Sequence, residues 1–467
     1  MTDGRKLDPT ILREYDIRGI VGDTISADDV RVIGRVFGSI VGEKAGRDGN
    51  PVVAVGYDGR ISSPELCAAL TEGLTAAGAD VRLIGRGPTP MLYFATHHLD
   101  VDAGMMVTGS HNPPEYNGIK MVLGHKPFHG ADIQALGVRA GAGKFSSGSG
   151  EVDEVDVEDA YVAQLADGFS LGVPLRVAWD AGNGAAGDVL KKLLRRLPHS
   201  HYAINTEIDG TFPAHHPDPT VEENLEQLKE LVTTEHCDLG FAFDGDGDRI
   251  GLVDSEGRAL WGDQIMVVLA RDVLSRNPGA TIIADVKASQ VLFDEIERAG
   301  GKPVMWKAGH SLIKTKMAET GAPLAGEMSG HIFIADGHYG YDDALYAAVR
   351  IMGVLAAANR RLADVRDSLP QMVNTPELRF ECADNRKFDV IDEVKARLKG
   401  RRGITVRDID GVRVETSDGW WLLRASNTQA VLVARCEAAD SQALARLKSA
   451  VAEQLEASGI EPPEGFV

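Results

Sequence analysis

The amino-acid sequence predicts an α/β fold, with three similar α/β domains followed by a smaller C-terminal α+β domain. Up to about Pro370, short apolar strands alternate with helical segments, which is typical of mostly parallel sheets covered by helices. Beyond that residue, strands follow one another closely and two amphipathic helices accompany them. The length of 467 residues also exceeds what one hydrophobic core supports, so several domains are expected.

The first domain is predicted over residues 1–155. A segment with helical spacing, with Pro64 at its start and Gly78 beyond its end, predicts a helix over 64–77. Apolar runs predict strands at 52–55, 81–84 and 103–107. The stretch 140–155 is rich in Gly, Ser and acidic residues, and we interpret it as the connection to the next domain.

The second and third domains are predicted over residues 156–256 and 257–369. In the second, Thr220 and Glu223 have the spacing of a capping box and predict a helix that runs through Leu231. Each domain places a polar loop near the end of a strand, where α/β sheets usually bind ligands. The other predicted elements are strands 175–179, 239–243, 281–285 and 304–306, and helices 189–197, 291–299 and 312–320.

The last domain is predicted over residues 370–467. Its apolar runs are short and close together, which predicts an antiparallel sheet. Two amphipathic segments, 388–399 and 441–457, predict helices that cover this sheet. The predicted strands are 377–381, 411–416, 420–424 and 430–435.

Composition and charge exclude several classes of protein. The net charge of −20 and the lack of a Lys/Arg block disfavour nucleic acid and membranes as partners, whereas a small phosphorylated substrate requires only a locally basic site. The four cysteines form no CxxC pair, which favours reduced thiols over a disulfide framework or a zinc site. The sequence shows no secretion signal and no bilayer-spanning apolar run, so we expect a cytoplasmic protein.

The first motif with chemical meaning is TGSHNPP at residues 108–114, which follows an apolar strand. Its glycine permits a sharp turn and its two prolines stiffen the exit, an arrangement that would present the hydroxyl of Ser110. A serine nucleophile needs charge compensation and a nearby base, and His111 and Lys120 are candidates because they are close in sequence. The alternative is a surface turn whose hydroxyls are satisfied locally.

The second motif is DGDGDR at residues 244–249, which places three carboxylates on a glycine-rich turn. Asp244, Asp246 and Asp248 can converge on one hard cation, and oxygen ligands suit Mg²⁺. Arg249 would lie beside that metal, where a bidentate contact to phosphate is useful. The alternatives are an acidic turn without metal and a calcium loop of the EF-hand kind, but Ser255 stands where that loop requires Glu.

Two further motifs are weak when each is taken alone. GEMSGH at residues 326–331 offers Glu, Ser and His side chains to sugar hydroxyls, although an ordinary polar loop is the better isolated interpretation. RASNT at residues 424–428 offers a guanidinium, two hydroxyls, an amide and backbone N–H groups to a phosphate, against the favoured alternative of a hairpin turn. YDIRG at 15–19 either brings an arginine to an anion or only attaches the N-terminal segment to the first domain. The segment FPAHHPDP at 212–219 is interpreted as a rigid loop.

Taken together and in this order, the motifs resemble those of the α-D-phosphohexomutase family. The resemblance rests on TGSHNP, DGDGDR, GEMSGH and RASNT, with support from YDIRG, NGIK (117–120) and GHSLIK (309–314). These motifs run from near the N-terminus to the last domain, so the resemblance covers essentially the whole chain. GEMSGH with TGSHNP looks like the phosphomannomutase/phosphoglucomutase branch, whereas the phosphoglucosamine branch more often has Gln in place of Met328.

The resemblance implies three mixed-sheet α/β domains and a fourth α+β domain around one central cleft. It implies a phosphorylated Ser110 and one Mg²⁺ per chain, held by Asp244, Asp246 and Asp248 together with the serine phosphate. It implies that Lys120 and His331 are candidate proton-transfer groups and that Arg18 and Arg249 assist catalysis. The substrate-binding residues that it implies are Tyr15, Lys287, His310, Glu327, Ser329, His331, Arg424, Ser426, Asn427 and Thr428.

The implied activity interconverts hexose 1-phosphate and hexose 6-phosphate, of mannose or glucose, through a hexose 1,6-bisphosphate that is both intermediate and activator. The expected partners are therefore small hexose phosphates, and the expected state is a monomer or weak homo-oligomer. The last domain would act as a lid with a hinge near residues 368–372.

Two rival hypotheses are a haloacid-dehalogenase-like enzyme using Asp244 and Asp246, and an acidic calcium-binding or scaffold protein. The first leaves TGSHNPP and RASNT without a role, and the second explains still less.

Overall fold

The structure is a computed structural model that describes residues 4–427, 429–463 and 466. Within these residues the chain forms four β-sheets in succession, each covered by helices. The first three sheets mix parallel and antiparallel strands, and the fourth is antiparallel throughout. The predicted fold class is therefore confirmed. Among the described helices, none is long and apolar enough to cross a membrane.

The first sheet has seven strands in the order β1-β5-β4-β2-β3-β7, with β6 paired to β5. Its central strands at 52–57 and 103–107 are apolar and buried apart from the partly exposed Tyr57, as the sequence predicts. The segment 140–155 is not only a connection, because its end forms an edge strand parallel to β3. The strands are β1 (Ile17–Ile20), β2 (Val52–Tyr57), β3 (Asp80–Arg86), β4 (Ala103–Val107), β5 (Tyr116–Leu123), β6 (Lys126–Pro127) and β7 (Val152–Glu154), and the helices are α1 (Ala27–Lys44), α2 (Ser63–Ala76), α3 (Thr89–His98) and α4 (Ala131–Gly141).

The second sheet has five strands in the order β12-β11-β10-β8-β9. Its central strand β10 lies parallel to β8 and antiparallel to β11, so the loop after β10 emerges at the carboxyl edge of the parallel pair. The strands are β8 (Arg176–Asp180), β9 (Ser200–Ile204), β10 (Leu239–Phe243), β11 (Ile250–Asp254) and β12 (Ala259–Leu260), and the helices are α5 (Glu158–Asp167), α6 (Gly187–Leu194) and α7 (Glu226–Thr234).

The predicted capping box at Thr220 is wrong. The Thr220 hydroxyl and N–H both donate to Asp218, at 2.6 and 3.0 Å, and close a local turn around Pro219. A 3₁₀ turn over Glu222–Leu225 follows, and α7 begins only after it. Asp218, two residues upstream, is a nearer hydrogen-bond partner for the Thr220 side chain than the N–H groups of a following helix would be.

The third sheet has the strand order β14-β13-β15-β16. It places the ends of β13 and β15 side by side, because these two strands are parallel neighbours. The strands are β13 (Thr281–Asp285), β14 (Lys302–Trp306), β15 (Leu324–Gly326) and β16 (Ile332–Ile334), and the helices are α8 (Gly262–Arg276), α9 (Gln290–Arg298), α10 (His310–Thr320), α11 (Ala344–Ala358) and α12 (Leu362–Asp367).

The fourth sheet has six strands in the order β17-β22-β21-β20-β19, with β18 paired to β22. Its antiparallel pairing and its two helices follow the sequence prediction closely. The strands are β17 (Val373–Asn374), β18 (Leu378–Glu381), β19 (Thr405–Arg407), β20 (Val412–Thr416), β21 (Gly419–Ala425) and β22 (Val431–Ala438), and the helices are α13 (Lys387–Leu398) and α14 (Ser441–Glu456).

One hydrophobic core extends across the first three sheets, and the fourth sheet has a core of its own. The almost wholly buried helix α11 packs against α5, α8 and the strands β10, β11 and β16, which joins the second sheet to the third. The first three domains are thus tied together by apolar packing. A smaller apolar cluster of Val286, Trp420 and Leu422 joins the last domain to the third. The domain boundaries at residues 155, 256 and 369 stay predictions, and β12 extends the second sheet beyond the second of them.

Candidate active site

A single cleft collects most of the residues that the sequence singles out. It encloses a cavity of about 480 Å³ that is lined from all four sheets. Thr428 lies outside the described residues. The predicted residues that line this cavity are Tyr15, Arg18, Ser110, Lys120, Arg249, Lys287, His310, Glu327, Ser329, His331, Arg424, Ser426 and Asn427.

Ser110 lies in the loop after β4, with only 2% of its surface exposed. Its backbone takes the left-handed conformation, with φ of 50°. The hydroxyl donates to Asp244 Oδ2 at 2.9 Å and lies 3.3 Å from His111 Nδ1. Burial, together with nearby Arg249 and Arg18, holds the pKa of His111 well below its usual range, so this ring is neutral. The serine is therefore held at the wall of the cleft, in contact with the acidic loop.

Asp58 and Arg60, which belong to none of the sequence motifs above, hold this loop in place. Arg60 is fully buried and donates to four backbone carbonyls at 2.5 to 2.9 Å, those of Ser110, Asn112, Pro113 and Tyr116. Asp58 accepts from the Gly109 N–H at 3.0 Å and from the Thr108 hydroxyl at 2.9 Å. Both residues follow β2, the parallel neighbour of β4, so a charged pair at that strand end was the available signal.

Asp244, Asp246 and Asp248 follow β10 and are fully buried. Each offers an oxygen within 4.8 Å of the others, so the group can hold a metal ion. Asp246 Oδ1 and Asp248 Oδ1 have no hydrogen-bond partner among the described residues, although they are buried. Burial and the mutual repulsion of the carboxylates raise the pKa of Asp244 well above its usual range. A hard divalent cation would supply the missing ligand partners and offset that repulsion.

Lys120 stands between two of these carboxylates. Its ammonium lies 2.7 Å from Asp246 Oδ2 and also contacts Asp248 Oδ2. Burial alone would lower the pKa of Lys120, but the aspartates raise it well above its usual value, so the side chain is a cation here. Lys120 thus neutralises part of the acidic loop and reaches the cleft from β5.

The loops of the third domain bring further polar groups to the cavity wall. Glu327 follows β15, is 3% exposed and accepts from the Gly309 N–H at 2.6 Å. That bond ties the GEMSGH loop to the GHSLIK loop, where His310 begins α10. Ser329 and His331 complete this wall of the cavity. The GEMSGH motif, which is a weak signal when taken alone, therefore lines the cleft.

The last domain closes the cleft through direct contacts. Asn427 donates to the Tyr15 hydroxyl at 2.6 Å, and that hydroxyl donates to the Ala308 carbonyl at 2.8 Å. Asp410 accepts from the Ala308 N–H at 3.1 Å and forms an ion pair with Arg424 at 3.0 Å. One tyrosine from the N-terminal segment and one aspartate from the last domain thus meet at the same turn of the third domain.

Four family models match the chain in order. They are phosphoglucomutase/phosphomannomutase α/β/α domain I at residues 9–137, α/β/α domain II at 159–257, α/β/α domain III at 261–373, and the C-terminal domain at 377–454. Together they span nearly the whole sequence. Their order and number agree with the four sheets.

Known proteins are similar over the full length. A curated phosphomannomutase/phosphoglucomutase from Pseudomonas aeruginosa is 44% identical over 460 residues, which is 98% of each protein. A phosphoglucomutase from Neisseria gonorrhoeae is 41% identical over 442 residues, 94% of this chain and 95% of that protein. A solved structure of a phosphoglucomutase/phosphomannomutase family protein from Burkholderia thailandensis, 44% identical, superposes with a TM-score of 0.91 over 97% of this chain and 98% of that one.

Proposed function

We propose a function for this chain from the finding that it belongs to the phosphoglucomutase/phosphomannomutase family. It is a phosphohexomutase, an enzyme of the isomerase class that interconverts hexose 1-phosphate and hexose 6-phosphate of mannose or glucose. The observation that carries the site assignment is the hydroxyl of Ser110, which donates to the three-aspartate loop inside a cleft lined from all four domains.

The phosphoryl carrier in this proposal is Ser110. Its phosphate would face Arg18, which already donates to the Gly109 carbonyl at 2.6 Å, and Arg249 on the far side of the acidic loop. Asp244, Asp246 and Asp248 would hold one Mg²⁺. When bound, that ion supplies charge neutralisation to the phosphoryl group. The buried oxygens that lack partners support a metal at this place.

Transfer requires a free sugar hydroxyl to attack the phosphorus while the Ser110 oxygen leaves with the electron pair of the broken P–O bond. The hydroxyl proton would pass to His331. Lys120, the other candidate proton-transfer group that lines the cavity, is already an ammonium, so it could donate a proton but not accept one. A hexose 1,6-bisphosphate results, and it turns over in the cleft so that its other phosphate returns to Ser110. The same bisphosphate would serve as activator for an unphosphorylated enzyme.

The sugar and the far phosphate would be held by separate loops. Glu327 and Ser329 would bind two neighbouring sugar hydroxyls, and Lys287 and His310 would contact the substrate beside them; all four residues line the cavity. Arg424, Ser426 and Asn427, with Thr428, would bind the phosphate that is not reacting. Because mannose and glucose differ only at C2, a site that grips O3 and O4 would accept both sugars. The cytoplasmic location and the monomeric or weakly oligomeric state remain predictions from the sequence.

The experiment that tests this function follows glucose 1-phosphate and mannose 1-phosphate by phosphorus NMR, with Mg²⁺ and a trace of glucose 1,6-bisphosphate. We expect the 6-phosphate to form with both sugars. Ser110→Ala should lower the rate on the order of a thousandfold or more, because the carrier of the phosphoryl group is gone. Ser449→Ala, a surface serine on α14, is the control and should match the wild type. Full activity of Ser110→Ala would contradict the assignment.

A further inference from the structure

The first turn of α3 contacts the acidic loop of the second domain. Thr89 is the first residue of this helix, and its N–H donates to the Asp246 carbonyl at 2.8 Å. The first N–H groups of a helix have no acceptor within it, so this one is available to a neighbouring loop. The Thr89 hydroxyl donates to Asp246 Oδ2 at 2.5 Å. One residue of the first domain therefore holds both the backbone and the carboxylate of Asp246.

The two segments are also packed closely together. Thr89 and Asp246 are both fully buried. The next residue of the loop, Gly247, has φ of 73°, and a Cβ added there would lie 3.0 Å from Pro88 Cβ. A hydrogen bond from a hydroxyl to a carboxylate is charge-assisted and roughly twice as strong as one between neutral groups. The carboxylate of Asp246 is therefore held firmly in one orientation.

Further donors from the first domain reach the same oxygen of Asp246. Lys120 Nζ lies 2.7 Å from Oδ2, and the Thr108 hydroxyl lies 3.1 Å from it. Thr108 has a single hydroxyl proton and a closer acceptor in Asp58 Oδ2, at 2.9 Å. Asp246 Oδ1, by contrast, is buried and has no hydrogen-bond partner among the described residues. Oδ2 is thus occupied by protein donors, and Oδ1 is the oxygen left for a cation.

Thr89 differs from Lys120 in its relation to the cleft. Lys120 lines the cavity and also contacts Asp248. Thr89 is not among the described residues that line the cavity, and its hydroxyl has no second acceptor in that part of the chain. A side chain in this position can affect the reaction only through the group that it holds, which is Asp246.

We propose that Thr89 is a positioning residue for the metal loop, which holds Asp246 by Oδ2 and leaves Oδ1 to the cation. The inference rests on the proposed function, in which the three aspartates hold Mg²⁺, and deepens it. Groups that orient a metal ligand without touching the ion change metal affinity on the order of 10- to 100-fold when they are removed. The metal affinity of the second domain would thus depend on its contact with the first.

The direct test is the binding of Mn²⁺ alone to the purified protein, measured by electron paramagnetic resonance without any sugar phosphate. Mn²⁺ prefers the same oxygen ligands as Mg²⁺. Thr89→Val keeps the branched shape and the N–H but lacks the hydroxyl, so we expect Mn²⁺ to bind at least about tenfold more weakly. Thr89→Ser keeps the hydroxyl and should bind Mn²⁺ nearly as the wild type does. Wild-type affinity in Thr89→Val, or equal losses in both variants, would overturn the proposal.

Thr96→Val is the matched control. Thr96 is a buried threonine of the same helix, and its hydroxyl donates to the Tyr93 carbonyl at 2.8 Å, away from the acidic loop. This variant should keep the Mn²⁺ affinity of the wild type. A loss equal to that of Thr89→Val would reduce Thr89 to a structural role and contradict the inference. If Thr89→Val does not fold, Thr89→Ala removes the same hydroxyl and takes its place in the comparison.

The Mn²⁺ measurement does not require turnover, so it separates this inference from the proposed function. A protein that binds Mn²⁺ with the expected order of affinities but has no mutase activity would contradict the proposed function and support the role of Thr89. A wild-type protein that binds no Mn²⁺ would overturn the inference, whatever its activity.

Discussion

At the scale of single residues, Ser110 occupies a backbone conformation that its type rarely adopts. A non-glycine residue with φ of 50° costs free energy and persists only where the surroundings impose it. Here Arg60 and Arg18 help to impose it. Arg60 donates to the carbonyls of Ser110 and Asn112, and Arg18 donates to the Gly109 carbonyl just before the serine. The position of the Ser110 hydroxyl is thus determined in part by a side chain 50 residues earlier in the chain.

Arg60→Lys tests that role. Lysine keeps the charge but cannot reproduce the fork that reaches four carbonyls, so we expect the serine loop to relax. A misplacement of about 1 Å lowers kcat on the order of 100-fold, and steady-state kinetics would measure this loss. Arg31→Lys, on the exposed face of α1, is the control and should retain wild-type kcat. A variant at position 60 with unchanged kcat would show that the loop keeps its shape without this arginine.

At the scale of elements, most strands and helices are predictable because their signals are local. Apolar runs and helix boundary residues place β4, β10 and β13 at the predicted residues, and the last domain follows its alternating strands. The role of Arg60 was not predictable in the same way. It depends on the pairing of β2 with β4, and a single sequence does not contain that information.

The loop over 212–219 is held in place by a hydrogen bond from a histidine to the second sheet. His215 Nε2 lies 2.9 Å from Asp180 Oδ2, at the end of β8. Asp218, near the end of the loop, and Thr220, just beyond it, line the cleft. Burial alone would lower the pKa of His215, but the hydrogen bond to Asp180 raises it above its usual value. A raised pKa in the folded state contributes stability that is fully present below the unfolded pKa of about 6.5. That contribution is lost as pH rises through the folded pKa.

His215→Gln should therefore destabilise the protein in a pH-dependent way. We expect its deficit in thermal unfolding midpoint to be larger at pH 6 than at pH 9, since only the protonated ring forms the ion pair. Scanning calorimetry at both pH values measures the difference. His98→Gln, an exposed histidine at the end of α3, is the control and should show a similar small effect at both. A deficit at position 215 that is larger at pH 9 would contradict the pairing.

At the scale of the whole molecule, the last domain has its own core and is joined to the third domain by a small apolar cluster of Val286, Trp420 and Leu422 and by polar contacts at the cleft. Asp410 holds the backbone of Ala308 and the guanidinium of Arg424 at once, and Asn427 reaches Tyr15. Hydrogen bonds of this kind can be exchanged for water at modest free-energy cost, and the opening and closing of this domain over the cleft stays a prediction.

Asp410→Ala should favour the open cleft. Removing the charged acceptor costs a hydrogen bond to Ala308 and leaves Arg424 without its ion pair, so we expect KM to rise roughly tenfold. Small-angle scattering of the substrate-free protein should show a larger radius of gyration than the wild type. Asp408→Ala, two residues earlier and exposed, should change neither quantity. An unchanged radius for Asp410→Ala would mean that other contacts hold the domain closed.

The most direct measurement of the central claim is tandem mass spectrometry of the purified protein after incubation with glucose 1,6-bisphosphate and Mg²⁺. The account predicts one phosphate, located on Ser110, that leaves the protein when excess hexose monophosphate is added. A phosphate on Asp244 would instead favour the haloacid-dehalogenase-like alternative. No phosphate on any residue, under conditions in which the enzyme turns over, would contradict the phosphoserine mechanism itself.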